Sequence, residues 1–333
     1  MVGAVYDRGY RPYEGERGGR ASARWALFRA SIRRALGIRR PWRQKVAPFV
    51  LLGIAAIPAI VYVGIAYVTR DTPASDFEFV TYRSYLAVSN VLLVFVALTA
   101  PDIVCPDRRQ HVLPLLFARP LSGVDYVLAK VGAMFAILFA FTFLPQVVLF
   151  LGQMLVSDDG ALRYVRDNAE VMWQVPIAAA LLSMYYASVG VAVASLTSRR
   201  IIAGATIIGL FLVSSIVSNV LVEADTVRDS EPGTISGPPS TMVTEEGQVL
   251  IVPEGGFDET EVRIVEPDAN PAGLLDLLEL PLVLRDLVFL GHVDEIDPMS
   301  GLDNGGLYAV AVYSAMVLGA LVILFVRYRE VER

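Results

Sequence analysis

The sequence predicts an all-α integral membrane protein with six transmembrane helices and both termini in the cytoplasm. An N-terminal amphipathic interfacial helix and a small extracytoplasmic α/β insertion between spans five and six complete the predicted architecture. Three observations carry that prediction. Apolar residues make up 55% of the 333, above the roughly 45–50% of a soluble domain. They gather in uncharged windows of about 20 residues, the length a helix needs to cross a hydrocarbon core. The basic residues fall unevenly between the loops, 21 of 28 on one side, which by the positive-inside rule makes that side cytoplasmic. A soluble globular enzyme is thereby excluded.

In chain order, residues 1–45 form a cytoplasmic basic segment with twelve Lys and Arg residues. Within it Trp25, Phe28, Ile32 and Leu36 recur at helical spacing, with arginines over much of the remaining surface. That is the pattern of an amphipathic helix lying on an anionic inner leaflet. The span that follows tethers this arm at the membrane, which favours a lipid surface over nucleic acid as its contact. That span also comes too late, behind too many arginines, to be a cleaved signal peptide. Spans one to five are expected at 46–68, 85–100, 131–156, 171–196 and 201–222, so that 46–222 holds five spans and the cytoplasmic loop 101–130. The acidic loop 223–306, the sixth span 307–326 and a cytoplasmic tail 327–333 follow.

The 223–306 loop holds 19 acidic residues against Arg228, Arg263 and Arg285. Residues 229–240 read as a Pro/Gly/Ser-rich linker, and 248–252 and 261–265 as two strands of a hairpin around Gly255-Gly256. The apolar stretch 272–290 contains Asp276, Glu279, Arg285 and Asp286. Each charge at the bilayer centre costs roughly 2.5–3.5 kcal/mol, so this stretch is expected to be interfacial or re-entrant. The loop as a whole reads as a small outer cap with a solvated acidic face.

The scarce residue types narrow the chemistry. One cysteine, Cys105, excludes a disulfide framework and CxxC sites. Two distant histidines, His111 and His292, argue against a metal centre, and no cofactor or metal is expected. The two lysines, Lys45 after Gln44 and Lys130 after Ala129, fit no Gly-Lys-Ser/Thr phosphate loop. The span interiors lack the acids and histidines that ion-coupled carriers and intramembrane proteases place at depth. An enzyme is therefore not expected.

The 101–130 loop is the informative one. Asp107 is placed to cap a short helix, with Arg108 and Arg109 behind it and Leu113, Leu116 and Phe117 as its apolar set. Arg119-Pro120 ends that helix, and Ser122 to Lys130 leads into the third span. Charge at one end and an apolar side suit docking into a groove on a cytosolic partner. This run of acid and arginines, then Leu-Leu-Phe-Ala-Arg-Pro-Leu-Ser and Lys130, resembles the corresponding loop of type-2 ABC transporter permeases. The lead-in Gly9-Tyr10-Arg11-Pro12-Tyr13-Glu14-Gly15-Glu16-Arg17 is similar to that of such permeases in high-GC bacteria. Two departures stand out: Cys105-Pro106-Asp107 where the family has Gly-Glu, and Gly123 where a basic residue is common.

The resemblance implies the permease subunit of an ATP-driven exporter in the plasma (inner) membrane, moving a lipid, glycan, drug or other amphiphile. It implies two partners, a separate ATP-binding-cassette ATPase and a second permease chain in a homo- or heterodimer. Asp107, Arg108, Arg109, Leu113 and Leu116 become the coupling-helix residues that touch the ATPase. Ser89 and Asn90 on the second span, and Ser215, Ser218 and Asn219 on the fifth, become candidates for lining the pathway. These polar groups equally suit hydrogen bonds between helices, with Gly190/Ala194 and Ala315/Gly319 allowing close packing. The alternative to transport is a membrane-anchored scaffold or sensor that binds a ligand through its outer loop.

Overall fold

The computed structural model describes residues 19–38, 42–69, 81–86, 89–110, 112, 121–157, 160–229, 240–243, 249–252, 270–294, 297, 302 and 304–332. Its helices are α1 (Arg20–Ala35), α2 (Trp42–Thr69), α3 (Tyr82–Tyr85), α4 (Ser89–Arg109) and α5 (Gly123–Val156). They continue as α6 (Ala161–Asp167), α7 (Val171–Ser195), α8 (Arg200–Asp229), α9 (Leu280–Leu290) and α10 (Gly305–Glu332). Six of the described helical segments are long and apolar enough to cross a membrane: α2, α3 with α4, α5, α7, α8 and α10. This is a multi-pass membrane protein.

The spans sit where the uncharged windows lie, but two of them run well past those windows. α4 continues from the apolar stretch through Asp102 and Asp107 to Arg109, because both carboxylates find cationic partners and need not leave the helix. α5 begins eight residues before the expected start. Ser122 closes a capping box with Asp125 there, each side chain bonded to the other's backbone N–H, which satisfies donors that a helix start otherwise leaves bare. At 34 residues and 1.5 Å per residue, α5 is about 50 Å long and outreaches a ~30 Å hydrocarbon core.

Burial sorts the spans into a centre and a rim. In their most apolar windows, 75% of the second span and 72% of α7 are buried, against 11% of α2 and 22% of α8. Small residues bring the central helices together. A Cβ on Gly190 of α7 would fall 2.4 Å from Val96 Cγ1 of α4, whereas one on Gly319 would meet nothing within 4 Å. The first glycine permits close packing as expected; the second does not serve that purpose within this chain. Tyr185 and Tyr186 meet edge to face, and the Tyr185 ring stacks on Tyr313 of α10, a packing role.

The 272–290 stretch is not a span. Its first part is a 3-10 turn, Pro271–Leu275. Asp276 Oδ1 then accepts from the backbone N–H groups of Leu278 and Glu279 at 2.8 and 3.2 Å and starts α9. That helix stops at Gly291, whose φ of 77° suits a residue without Cβ. Eleven residues reach about 16 Å, too short to cross, and α9 is buried against α7 and α10.

The described helices are accompanied by one small hairpin, β1 (Ser240–Val243) with β2 (Val249–Val252), antiparallel with Ser240 opposite Val252. β2 falls on the expected strand 248–252, but its partner precedes it, starting at the edge of the segment that reads as linker. Thr241-Met-Val243 has the β-branched and apolar content of a strand, which the Pro/Gly/Ser run before it obscured. The expected strand 261–265 lies outside the described residues.

Candidate functional site

The described residues that flank the 101–130 loop, at the end of α4 and the start of α5, converge on one end of the bundle, and Asp107 is their centre. It lies in the last turn of α4, and 2% of its surface is exposed. Lys130 Nζ, from the second turn of α5, stands 2.6 Å from Asp107 Oδ2 and donates to the Ile103 carbonyl at 2.8 Å. Arg34 of α1 pairs with Oδ1 of the same carboxylate. The Tyr126 hydroxyl donates to Oδ2 at 3.0 Å, while its ring packs 4.6 Å from that of Tyr328 on α10. One carboxylate thus joins α1, α4 and α5 directly, and α10 through an aromatic contact.

Further charged residues reinforce this end. Asp125, 2% exposed, accepts from Arg20 Nε at 2.6 Å, with Arg24 at 3.7 Å. Asp102 pairs with Arg200 at the start of α8, 3.0 Å away. The closing turn of α7 leaves carbonyls without helical donors. Arg108 donates to that of Ser195, and Arg327 to that of Leu196 at 3.4 Å. Cations at a helix C-terminus also favour its dipole.

These contacts revise the expected docking helix. Asp107 does not cap a separate helix; it is inside α4 and faces inward, so its carboxylate is not presented to a partner. The reason is that Lys130 and Arg34 neutralise it in place. Arg108 is half-buried and committed to Ser195, whereas Arg109 is exposed. Leu113 and Leu116 lie outside the described residues.

The N-terminal stripe is likewise divided. Trp25 is exposed, stacked 5.1 Å from the Phe28 ring and covered by the Arg29 guanidinium at 4.8 Å. Phe28 lies against α5 at Gly132, and Ile32 and Leu36 pack on the core. Arg34, expected to face an anionic surface, instead binds a carboxylate of the bundle, as does Arg20 at the start of α1. Burial of a paired charge was not visible in the helical spacing.

The serine row on α8 is occupied. The Ser215 hydroxyl donates to Asp276 Oδ2 and that of Ser218 to the Ala272 carbonyl, both at 2.8 Å. Ser214, which the sequence did not single out, donates to the Leu275 carbonyl and accepts from Leu277 N–H. Ser215 and Ser218 therefore seat the segment before α9. Asn219 is exposed and donates to the Ser215 carbonyl one turn back at 2.8 Å. Asn90 is exposed, and the side chain of Ser89 lies outside the described residues.

Neither a protein-family model nor a curated protein sequence matches this chain.

At the opposite end, charges that the loop analysis treated as barriers to insertion pair with each other. Arg83 of α3 donates to Asp286 at 2.7 Å and also pairs with Asp294. Arg285 grips the same Asp286 carboxylate at 2.7 and 3.0 Å, and donates to the Arg83 carbonyl at 3.3 Å. Tyr82, Gln153 and Tyr164 form a second cluster, with separations of 2.6–2.7 Å. Among the described residues no three His, Cys, Asp or Glu side chains gather where they would hold a metal. The chemistry of both ends is anchoring. The sequence signal for the first was present in outline: three acids, Asp102, Asp107 and Asp125, on the side where basic residues dominate.

Proposed function

We propose that this chain is the permease subunit of an ATP-driven ABC transporter in the plasma (inner) membrane. On this reading both termini and the 101–130 loop are cytoplasmic, α1 lies at the inner leaflet, and the 223–306 region with its hairpin and α9 is extracytoplasmic. A separate ATP-binding-cassette subunit hydrolyses ATP, consistent with a sequence that has no phosphate loop. A second permease chain completes the membrane unit, and the cargo is a lipid, glycan, drug or other amphiphile. The observation that carries the reading is the anchoring of the 101–130 loop. A loop that transmits force to the spans must be rigidly joined to them, and the Asp107–Lys130 pair joins its two flanking helices with Arg34 bracing the contact. Among the described residues of that region, Arg109 is exposed and can meet a partner's acid.

The test is co-purification of the full chain from native membranes in mild detergent. An ATP-binding-cassette ATPase is expected in near-equal amount, and Arg109→Glu is expected to reduce its recovery while the permease still inserts. An exposed interfacial charge affects association modestly compared with a buried one, so a partial loss is expected. A preparation that contains no such ATPase overturns the reading in favour of a scaffold or sensor.

A further inference from the structure

An apolar cavity of about 260 Å³ lies between α1, α2 and α5. Every residue lining it is apolar, among them Ile32 and Leu36 of α1, Phe49 and Leu52 of α2, and Ala140 and Leu144 of α5. Phe49, Ala140 and Leu144 are also exposed, so the cavity opens on the surface that membrane-spanning helices turn to lipid.

The mouth of this cavity is made by α1, which runs beside α5 in the same direction. Arg20 meets Asp125, Phe28 lies against Gly132, and Ile32 and Leu36 share the cavity with Ala136 and Ala140. The cavity therefore follows the uncharged window of α5, which opens at Val131, and the earlier turns of α1 stand at the edge of that window. Arg29 and Arg33 come three residues before Ile32 and Leu36, the spacing of neighbours on a helix surface. Both are exposed, and neither pairs with a carboxylate among the described residues, whereas Arg20, Arg24 and Arg34 do. The Arg29 guanidinium lies over the exposed Trp25 ring at 4.8 Å, a contact that holds it at the surface without engaging its N–H donors. An exposed tryptophan beside arginines suits the headgroup level of a bilayer.

Two cations at the mouth of an apolar cavity call for a ligand with a phosphate at one end and a hydrocarbon chain behind it. A free anion would leave the cavity unfilled, and a zwitterionic lipid brings an ammonium group that competes for its own phosphate. We propose that one anionic phospholipid is seated here, its phosphate against Arg29 and Arg33 and one acyl chain between α1, α2 and α5. This single seated lipid is distinct from a general attraction of α1 to a charged leaflet, and it stands independently of the transport reading.

The test uses the full chain in phosphatidylcholine nanodiscs with a trace of either of two photoactivatable lipids, phosphatidylglycerol or phosphatidylcholine carrying a diazirine in one acyl chain. Crosslinks are mapped by mass spectrometry. Those at 49–52 and 136–144 are divided by those on the exposed face of α8 around Val213 and Val217. The phosphatidylglycerol probe is expected to give about three- to tenfold the ratio of the phosphatidylcholine probe, the range of two partly exposed ion pairs. Arg29→Gln with Arg33→Gln is expected to bring the two probes level. Ala140→Phe, which fills the cavity from its exposed side and leaves both arginines in place, is expected to lower labelling there to that of α8. Equal ratios for the two probes on the wild-type protein, a preference that survives the double arginine variant, or cavity labelling that Ala140→Phe leaves unchanged overturns the proposal.

Discussion

The Asp107–Lys130 pair illustrates why a single buried charge matters more by its absence than by its presence. Removing two ions from water costs roughly what their attraction returns, so an intact buried pair adds little net stability. Loss of one partner leaves the other stranded. Lys130→Met should therefore lower the unfolding free energy of the detergent-solubilised protein by about 3–5 kcal/mol. The double variant Asp107→Leu with Lys130→Met should recover most of that loss, because neither charge is then buried alone. Denaturant titration followed by helical circular dichroism measures both, and additive losses in the double variant would show that the two residues are not coupled. Arg34 is a third of the way exposed and can turn to solvent when Asp107 is gone, which is why the double variant is expected to be tolerated.

At the scale of elements, the contact of α4 with α8 rests on a proline in one helix and a glycine in the other. Pro101 has no N–H, so the Ala97 carbonyl four residues earlier lacks its usual helical donor. Gly204 of α8 packs over that carbonyl, and a Cβ there would fall 2.8 Å from the oxygen. The obstacle is backbone, so it cannot swing aside. Gly204→Leu should force α8 off α4 and cost about 1–3 kcal/mol, the usual penalty for overpacking. Gly209, one and a half turns on, has nothing within 4 Å of its Cβ position. Gly209→Leu should be neutral or stabilising by up to about 1 kcal/mol, and comparing the two variants by thermal unfolding separates packing from the general preference of helices for leucine over glycine. Equal behaviour of the two would count against the close approach. The serine row further along α8 works in the opposite sense, holding the 3-10 turn through side-chain hydrogen bonds and not through steric fit.

For the molecule as a whole, the arrangement of charge predicts its placement across the bilayer. With 21 of 28 basic residues on one side, the positive-inside rule predicts 101–130 in the cytoplasm and 223–306 outside. Cysteines introduced singly as Arg109→Cys and Glu254→Cys test this with a membrane-impermeant thiol reagent. Glu254→Cys should be labelled on intact cells, and Arg109→Cys only after the membrane is opened. Native Cys105 is 2% exposed, with its Sγ set between the Ala194 and Thr197 carbonyls, so it should contribute little background. The reverse labelling pattern would invert the molecule in the membrane.

The six spans were legible in the chain because a bilayer imposes a simple local criterion: about 20 apolar residues without charge. The same rule dismissed 272–290 as a span, and the count of arginines and lysines predicts an orientation that the thiol labelling tests. Helix ends were less legible. The apolar window of the second span closed at residue 100, but pairing of Asp102 and Asp107 with Arg200, Lys130 and Arg34 lets α4 run on to Arg109, and those partners come from three other elements. For the same reason Asp107 looked like a group offered to a partner, and Ser215 and Ser218 looked like groups offered to a pathway. Hydropathy and spacing report what a residue is and which neighbours share its own helix. Whether a carboxylate or a hydroxyl is free depends on partners far along the chain: donors 23 to 73 residues away in the case of Asp107, and an accepting carbonyl more than 50 away in the case of Ser218. Only the tertiary packing of the helices brings such groups within hydrogen-bond reach, because a bond of 3 Å is decided by where two helices cross and not by what either one contains.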